Sequence, residues 1–232
     1  MYRHCTYSTI SLLSLLIFLG CACSKTPVRP EPAALELPVP ANFPPLPGFP
    51  DNPLSREGVE LGRLLFYDTR LSGNNQVSCA SCHLPDKAFS DGIALSTAGV
   101  SGTPLRRHSP ALINMAWANN GLFWDGGATN LESQAFGPLT AADEMHQNLA
   151  ELIAELNAVP DYVNRFLFVF DDEIQSAYIV RALAQFQRTF ISANSRYDKY
   201  VRKESGGNLT ATELQGLALV QQKCQGCHST DL

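Results

Sequence analysis

The chain has 232 residues, of which 17 are basic and 22 acidic, for a formal net charge of −5. That balance excludes a general binder of phosphate backbones, which needs a clustered excess of Lys and Arg. With 45% hydrophobic and 17% charged residues the chain is globular rather than disordered, and its length allows one or two domains.

Taken in chain order, the first element is an address. Arg3 and His4 precede an apolar run from Ile10 to Leu19, broken only by Ser11 and Ser14. A spanning helix needs about 20 apolar residues, so residues 1–20 read as a signal peptide. The run ends in Phe18-Leu19-Gly20-Cys21, which resembles a bacterial lipobox, with Cys21 the expected lipidation site. The protein is therefore expected in the periplasm or cell envelope, touching a membrane only through a lipid anchor. Residues 21–53 follow as a tether, because ten of the fifteen prolines lie between Pro27 and Pro53. Proline fixes φ and removes an amide donor, which favours an extended spacer.

From Ser55 onward the periodicity is helical. Ser55 is placed to cap a helix carrying Val59, Leu61, Leu64, Leu65 and Phe66. Leu149, Leu152, Ile153 and Leu156 form one apolar face that stops before Pro160. The stretch from Glu173 to Phe190 predicts a buried helix of about five turns. Thr210-Ala211-Thr212-Glu213 is a capping box opening a helix through Leu214, Leu217, Ala218 and Val220. Residues 89–110 read as a long loop, and no alternating pattern argues for a sheet. The expected class is all-α.

The chemistry lies in two short runs, Cys79-Ala80-Ser81-Cys82-His83 and Cys224-Gln225-Gly226-Cys227-His228. Each is C-x-x-C-H, the attachment pattern of a c-type haem. Two thiols one short turn apart can form thioethers along one porphyrin edge, and the adjacent imidazole can ligate the iron. A zinc knuckle or a redox C-x-x-C uses similar spacing. Two copies, each followed by His in an exported chain, favour two covalently bound haem c groups with His83 and His228 as proximal ligands.

The run from Glu60 to Ser72 leading into the first motif resembles the bacterial dihaem cytochrome c peroxidases. So do Ser109 to Asn114, Phe123-Trp124-Asp125-Gly126, Gln134 to Pro138, Glu144-Met145 and Tyr197 to Tyr200. The family includes the MauG maturation enzyme, which oxidises a protein substrate. The resemblance implies a cytochrome c-like peroxidatic haem domain over residues 54–190 and the opening of an electron-transfer haem domain over 191–232. It implies that the haem on Cys79, Cys82 and His83 meets hydrogen peroxide. The haem on Cys224, Cys227 and His228 then takes electrons from a small cytochrome or cupredoxin. Trp124 matches the tryptophan between the haems, Glu144 the distal acid–base residue, and Gln134 and Pro138 other members of the distal pocket. A MauG-like oxidase and a non-catalytic dihaem electron carrier are the alternative readings.

The sequence also departs from the family pattern. Where many members carry a histidine that ligates the peroxidatic iron until the other haem is reduced, this chain has Val100. His108 stands where an asparagine usually helps to hold calcium, and an imidazole is a poor ligand for a hard cation, which puts calcium in doubt. Gly127 replaces an arginine, and His146 reads as a solvated residue ahead of a helix. Only Ser229, Thr230, Asp231 and Leu232 follow the second motif, so the chain is expected to be C-terminally truncated relative to the family.

Overall fold

The computed structural model describes residues 30–118 and 121–228. The expected signal peptide, the expected lipidation site Cys21 and the last four residues lie outside them. Helices carry the described chain, linked by 3-10 turns, and the only β-pairings among these residues are isolated bridges. The all-α expectation holds.

Helix α1 (Arg56–Tyr67) begins where Ser55, in extended conformation, accepts a hydrogen bond from the Gly58 N–H at 3.0 Å. Such a cap satisfies one of the amides that the first turn leaves without a partner. Leu61, Leu65 and Phe66 are buried, with Val59 and Leu64 packed at the margin of the same core. The chain leaves the helix at Asp68, whose carboxylate accepts from Arg70 N–H and starts a 3-10 turn over Thr69–Leu71.

Helix α2 (Leu131–Thr140) buries Leu131, Ala135 and Leu139 at i, i+4 and i+8. Helices α3 (Leu149–Asn157) and α4 (Pro160–Phe170) supply Leu152, Leu156, Tyr162 and Phe166 to the core. Helix α5 (Ser176–Gln187) runs through its centre and is buried on nearly every side. At 12 residues it is shorter than the five turns expected. It stops because the chain turns after Arg188, and that turn lays Phe190 flat against Phe89, with ring centroids 3.7 Å apart.

Helices α1 and α5 meet backbone to backbone. A Cβ added to Gly62 would lie 1.9 Å from the Ala182 carbonyl oxygen, a contact that no rotamer relieves. Gly62→Ala is therefore expected to destabilise the fold by at least the ~1–3 kcal/mol typical of overpacking, read as a lower urea midpoint at unchanged slope.

Part of the Pro-rich segment lies within the described residues. From Ala33 onward it is extended but fastened to the domain. Phe43 sits edge-on to Trp117 at 5.0 Å, and the Trp117 indole N–H donates to the Pro44 carbonyl at 2.9 Å. The Arg188 guanidinium lies 4.1 Å from the Phe49 ring centre and pairs with Glu132. Asn52 donates to Glu132 and to the Arg181 carbonyl, and accepts from Gln185. The aromatic and Asn residues between the prolines hold the strap down, and proline keeps it extended.

Helix α6 (Arg196–Val201) joins the strap where Asn42 donates to Asp198 and accepts from Arg202. Helix α7 (Ala211–Lys223) opens as expected, with Thr210 and Glu213 bonded to one another's backbone amides. Unlike the others it buries none of its residues, and Leu214, Leu219 and Val220 are exposed.

Candidate haem-attachment site

Cys79–Ser81 forms a 3-10 turn, opened by a hydrogen bond from Ser78 N–H to the Ser81 hydroxyl. The amides of Cys82 and His83 both donate to the Cys79 carbonyl, at 3.2 and 2.9 Å. The same arrangement recurs at the end of α7, where Cys227 and His228 donate to the Cys224 carbonyl at 3.1 and 2.8 Å. Neither cysteine pair is joined in a disulfide. Two separate sequences thus fold into one local geometry, with two thiols on a single turn and an imidazole directly after it.

The two sites differ in their surroundings. Cys224, Cys227 and His228 are exposed, whereas the first turn is set into the domain. Burial pushes the Cys79 thiol up to about 12. Burial also raises Cys82; hydrogen bonds to Ser96 and Ser109 oppose the shift, and the charges of Asp91 and Glu144 add to it. Both shifts favour the neutral thiol over the thiolate.

His83 is oriented by backbone. Its Nδ1 lies 2.6 Å from the Phe89 carbonyl oxygen. A carbonyl only accepts, so Nδ1 carries the proton and the lone pair resides on Nε2, the arrangement a proximal ligand requires. Burial lowers the imidazole pKa, against the pull of the Phe89 and Pro110 carbonyls, and favours the neutral, ligating form. Ala88 and Phe89 hold this geometry at φ of 56° and 57°. A bulky residue at positive φ is rare and persists only where the surroundings impose it. Here the Leu84–Ser90 bridge and the Phe89–Phe190 stack impose it. These residues fit a haem c on Cys79, Cys82 and His83.

Glu144 stands in the turn after α2, its amide donating to the Ala141 carbonyl and its own carbonyl accepting from Val100 N–H at 2.7 Å. It is half-buried; burial first, then the charge of Asp143, raises its carboxyl above the ordinary range. Its charge is felt at Cys82, so the fold brings together two residues 62 positions apart. Gln134 is half-buried on α2, and its side-chain amide makes no hydrogen bond with the described residues. Trp124 is 85% exposed and packs against little of the described chain. His108 and His146 are exposed as well.

The Phe89 carbonyl and the buried Asp91, Ser96 and Ser109 belong to these surroundings without a signal in the motif itself. A carbonyl has no residue identity to read, although Pro85-Asp86, two residues after the motif, marks the turn that delivers it.

Residues 56–206 match the family model described as Di-haem cytochrome c peroxidase. The chain is 40% identical over 183 residues to the methylamine utilization protein MauG of Methylorubrum extorquens, covering 77% of this chain and 51% of that one. It is 37% identical over 199 residues to the cytochrome-c peroxidase IdrP1 of a Pseudomonas species, covering 83% and 51%. It thus spans about half the length of these relatives. A crystal structure of a MauG-like protein associated with microbial copper homeostasis superposes with a TM-score of 0.75 at 37% identity, covering 85% of this chain and 59% of that one. No helix among the described residues is long and apolar enough to cross a membrane. An all-α chain with two C-x-x-C-H turns and these relatives belongs to the di-haem cytochrome c peroxidase family of oxidoreductases.

Proposed function

We propose that the protein reduces hydrogen peroxide to water at the haem held by Cys79, Cys82 and His83. Electrons come from a small cytochrome or cupredoxin through the haem held by Cys224, Cys227 and His228. The observation that carries the reading is the half-buried Glu144, its carboxyl raised by burial and its charge felt at the first attachment turn. When bound, the haem supplies the redox iron. Two electrons and two protons convert one peroxide into two waters, and the protons must be handled by a side chain. A raised carboxyl can accept a proton from one peroxide oxygen and return it to the other. The free amide of Gln134 can orient the peroxide by hydrogen bonding. Trp124, on the exposed face, is the proposed electron relay.

Export on the apolar segment 10–19, with a lipid on Cys21, places the domain in the periplasm or at the cell envelope. No calcium is assigned, since His108 is exposed beside an Arg107–Asp125 ion pair and offers a nitrogen donor.

MauG-like oxidation of a protein substrate is the second reading, favoured by the 40% identity to MauG and the 0.75 TM-score. A steady-state assay separates the two. Peroxidase activity is expected as oxidation of two reduced cytochrome or cupredoxin molecules per peroxide, saturating in both substrates. Peroxide consumption that needs a protein substrate instead of the donor supports the MauG-like reading. No consumption with either, by a protein carrying both haems, assigns it to electron carriage.

A further inference from the structure

We infer that Asp91 is a positioning residue for the first haem, whose buried carboxylate favours the ferric over the ferrous state. The inference rests on haem attachment at Cys79, Cys82 and His83 and is independent of the substrate.

Asp91 is 5% exposed. One carboxylate oxygen accepts from the Ile93 N–H at 3.2 Å; the other is buried with no hydrogen-bond partner. An unsatisfied buried carboxylate oxygen costs free energy, and native structures retain few of them. The Lys87 ammonium donates to the Asp91 main-chain carbonyl at 2.8 Å, and among the described residues no hydrogen bond joins it to the buried Asp91 carboxylate oxygen.

The place of this carboxylate in the chain gives it a role. Residues 84–90 close on themselves through the Leu84–Ser90 bridge, and the Ser90 hydroxyl donates to the Ser109 carbonyl at 2.8 Å. The Phe89 carbonyl of this loop holds His83 Nδ1, and Asp91 follows two residues later. Asp91, itself buried, thus belongs to the loop whose backbone carbonyl grips the His83 imidazole.

A fixed negative charge in a low-dielectric surrounding stabilises the more positive of two iron states. It also raises the basicity of the imidazole it faces, which acts in the same direction. Asp91 therefore works through His83 and the local field, with no contact to peroxide.

The test is a spectroelectrochemical titration of the haem-loaded chain in a Cys224→Ala, Cys227→Ala background, so that only the first haem is read. Asp91→Asn removes the charge at constant size. Asp91→Ser is a second neutral variant whose hydroxyl can still accept from Ile93, and Asp91→Glu restores the charge. Both neutral variants are expected to raise the ferrous-to-ferric ratio at fixed electrode potential about tenfold, a 59 mV rise for a one-electron couple. The Glu variant is expected to stay close to the parent. An unmoved midpoint in the neutral variants, with haem bound and the ferric spectrum unchanged, overturns the inference. So does an equal shift in all three, or loss of haem stain from the neutral variants alone, which assigns Asp91 a folding role. Absence of haem stain from the parent itself would instead defeat the attachment reading.

Discussion

Glu144→Gln is expected to lower peroxide turnover by about 10²–10⁴-fold, the usual worth of positioned proton transfer, while the haem stain is unchanged. Attachment depends on the cysteine pairs and their histidines, none of which the substitution touches. The same variant is expected to be more stable than the parent at neutral pH. Burial and Asp143 raise the Glu144 carboxyl in the folded state above its unfolded value. Well below about pH 4, where an ordinary carboxyl is protonated in both states, parent and variant are expected to melt together. As pH rises through the folded pKa, the parent alone must hold a half-buried charge and loses stability, so the variant gains a higher Tm. Lost turnover with gained stability marks a residue retained for chemistry rather than for folding. Near-normal turnover, measured as peroxide-dependent oxidation of a reduced cytochrome, would remove Glu144 from the acid–base role.

The parts of the molecule legible in the sequence are those whose cause is local. Ser55 and Thr210 each cap a helix by accepting from an amide three residues on, and the two C-x-x-C-H turns close on their own first carbonyl. Helix α2 escaped notice because Gly137 and Pro138 fall inside it and break the pattern. Its start was nonetheless written in Asn130 and Ser133, which bond one another's amides. Proline composition described the strap's conformation but not its partners. Asn52 reaches Glu132 across 80 positions and Asn42 reaches Asp198 across 156, and no local pattern encodes such pairings. Glu144 entered only through resemblance, since a carboxylate is ordinarily a surface charge. Its half-burial and its field at Cys82 are products of the fold. The carbonyl that orients His83 is the extreme case, because any residue in the position of Phe89 offers the same oxygen.

The first haem is expected to meet hydrogen peroxide in the all-ferric protein, with no prior reduction. In the gated relatives implied by the resemblance, a loop histidine must leave the iron before peroxide can bind, and this chain has Val100 there. The loop is also fastened in place. The Val100 amide donates to the Glu144 carbonyl, Leu105 N–H donates to the Ser96 carbonyl, and Gly99 lies so close to the Asp143 carbonyl that a Cβ would sit 2.0 Å from it. Val100 and His146 line a cleft of about 390 Å³ with Gly73, Asn74, Asn148 and Glu151. His108 is the remaining rival ligand. It is exposed, with Arg107 on one side paired to Asp125 and Ser109 on the other buried, its carbonyl held by the Ser90 hydroxyl. Met145 is sunk in the core. The oxidised protein is therefore expected to show a high-spin ferric signal and a Soret shift within the mixing time after peroxide is added. His108→Ala is expected to leave that spectrum as it is. A purely low-spin ferric protein that responds to peroxide only after one-electron reduction would restore the gate, and a low-to-high-spin conversion in His108→Ala would name its ligand.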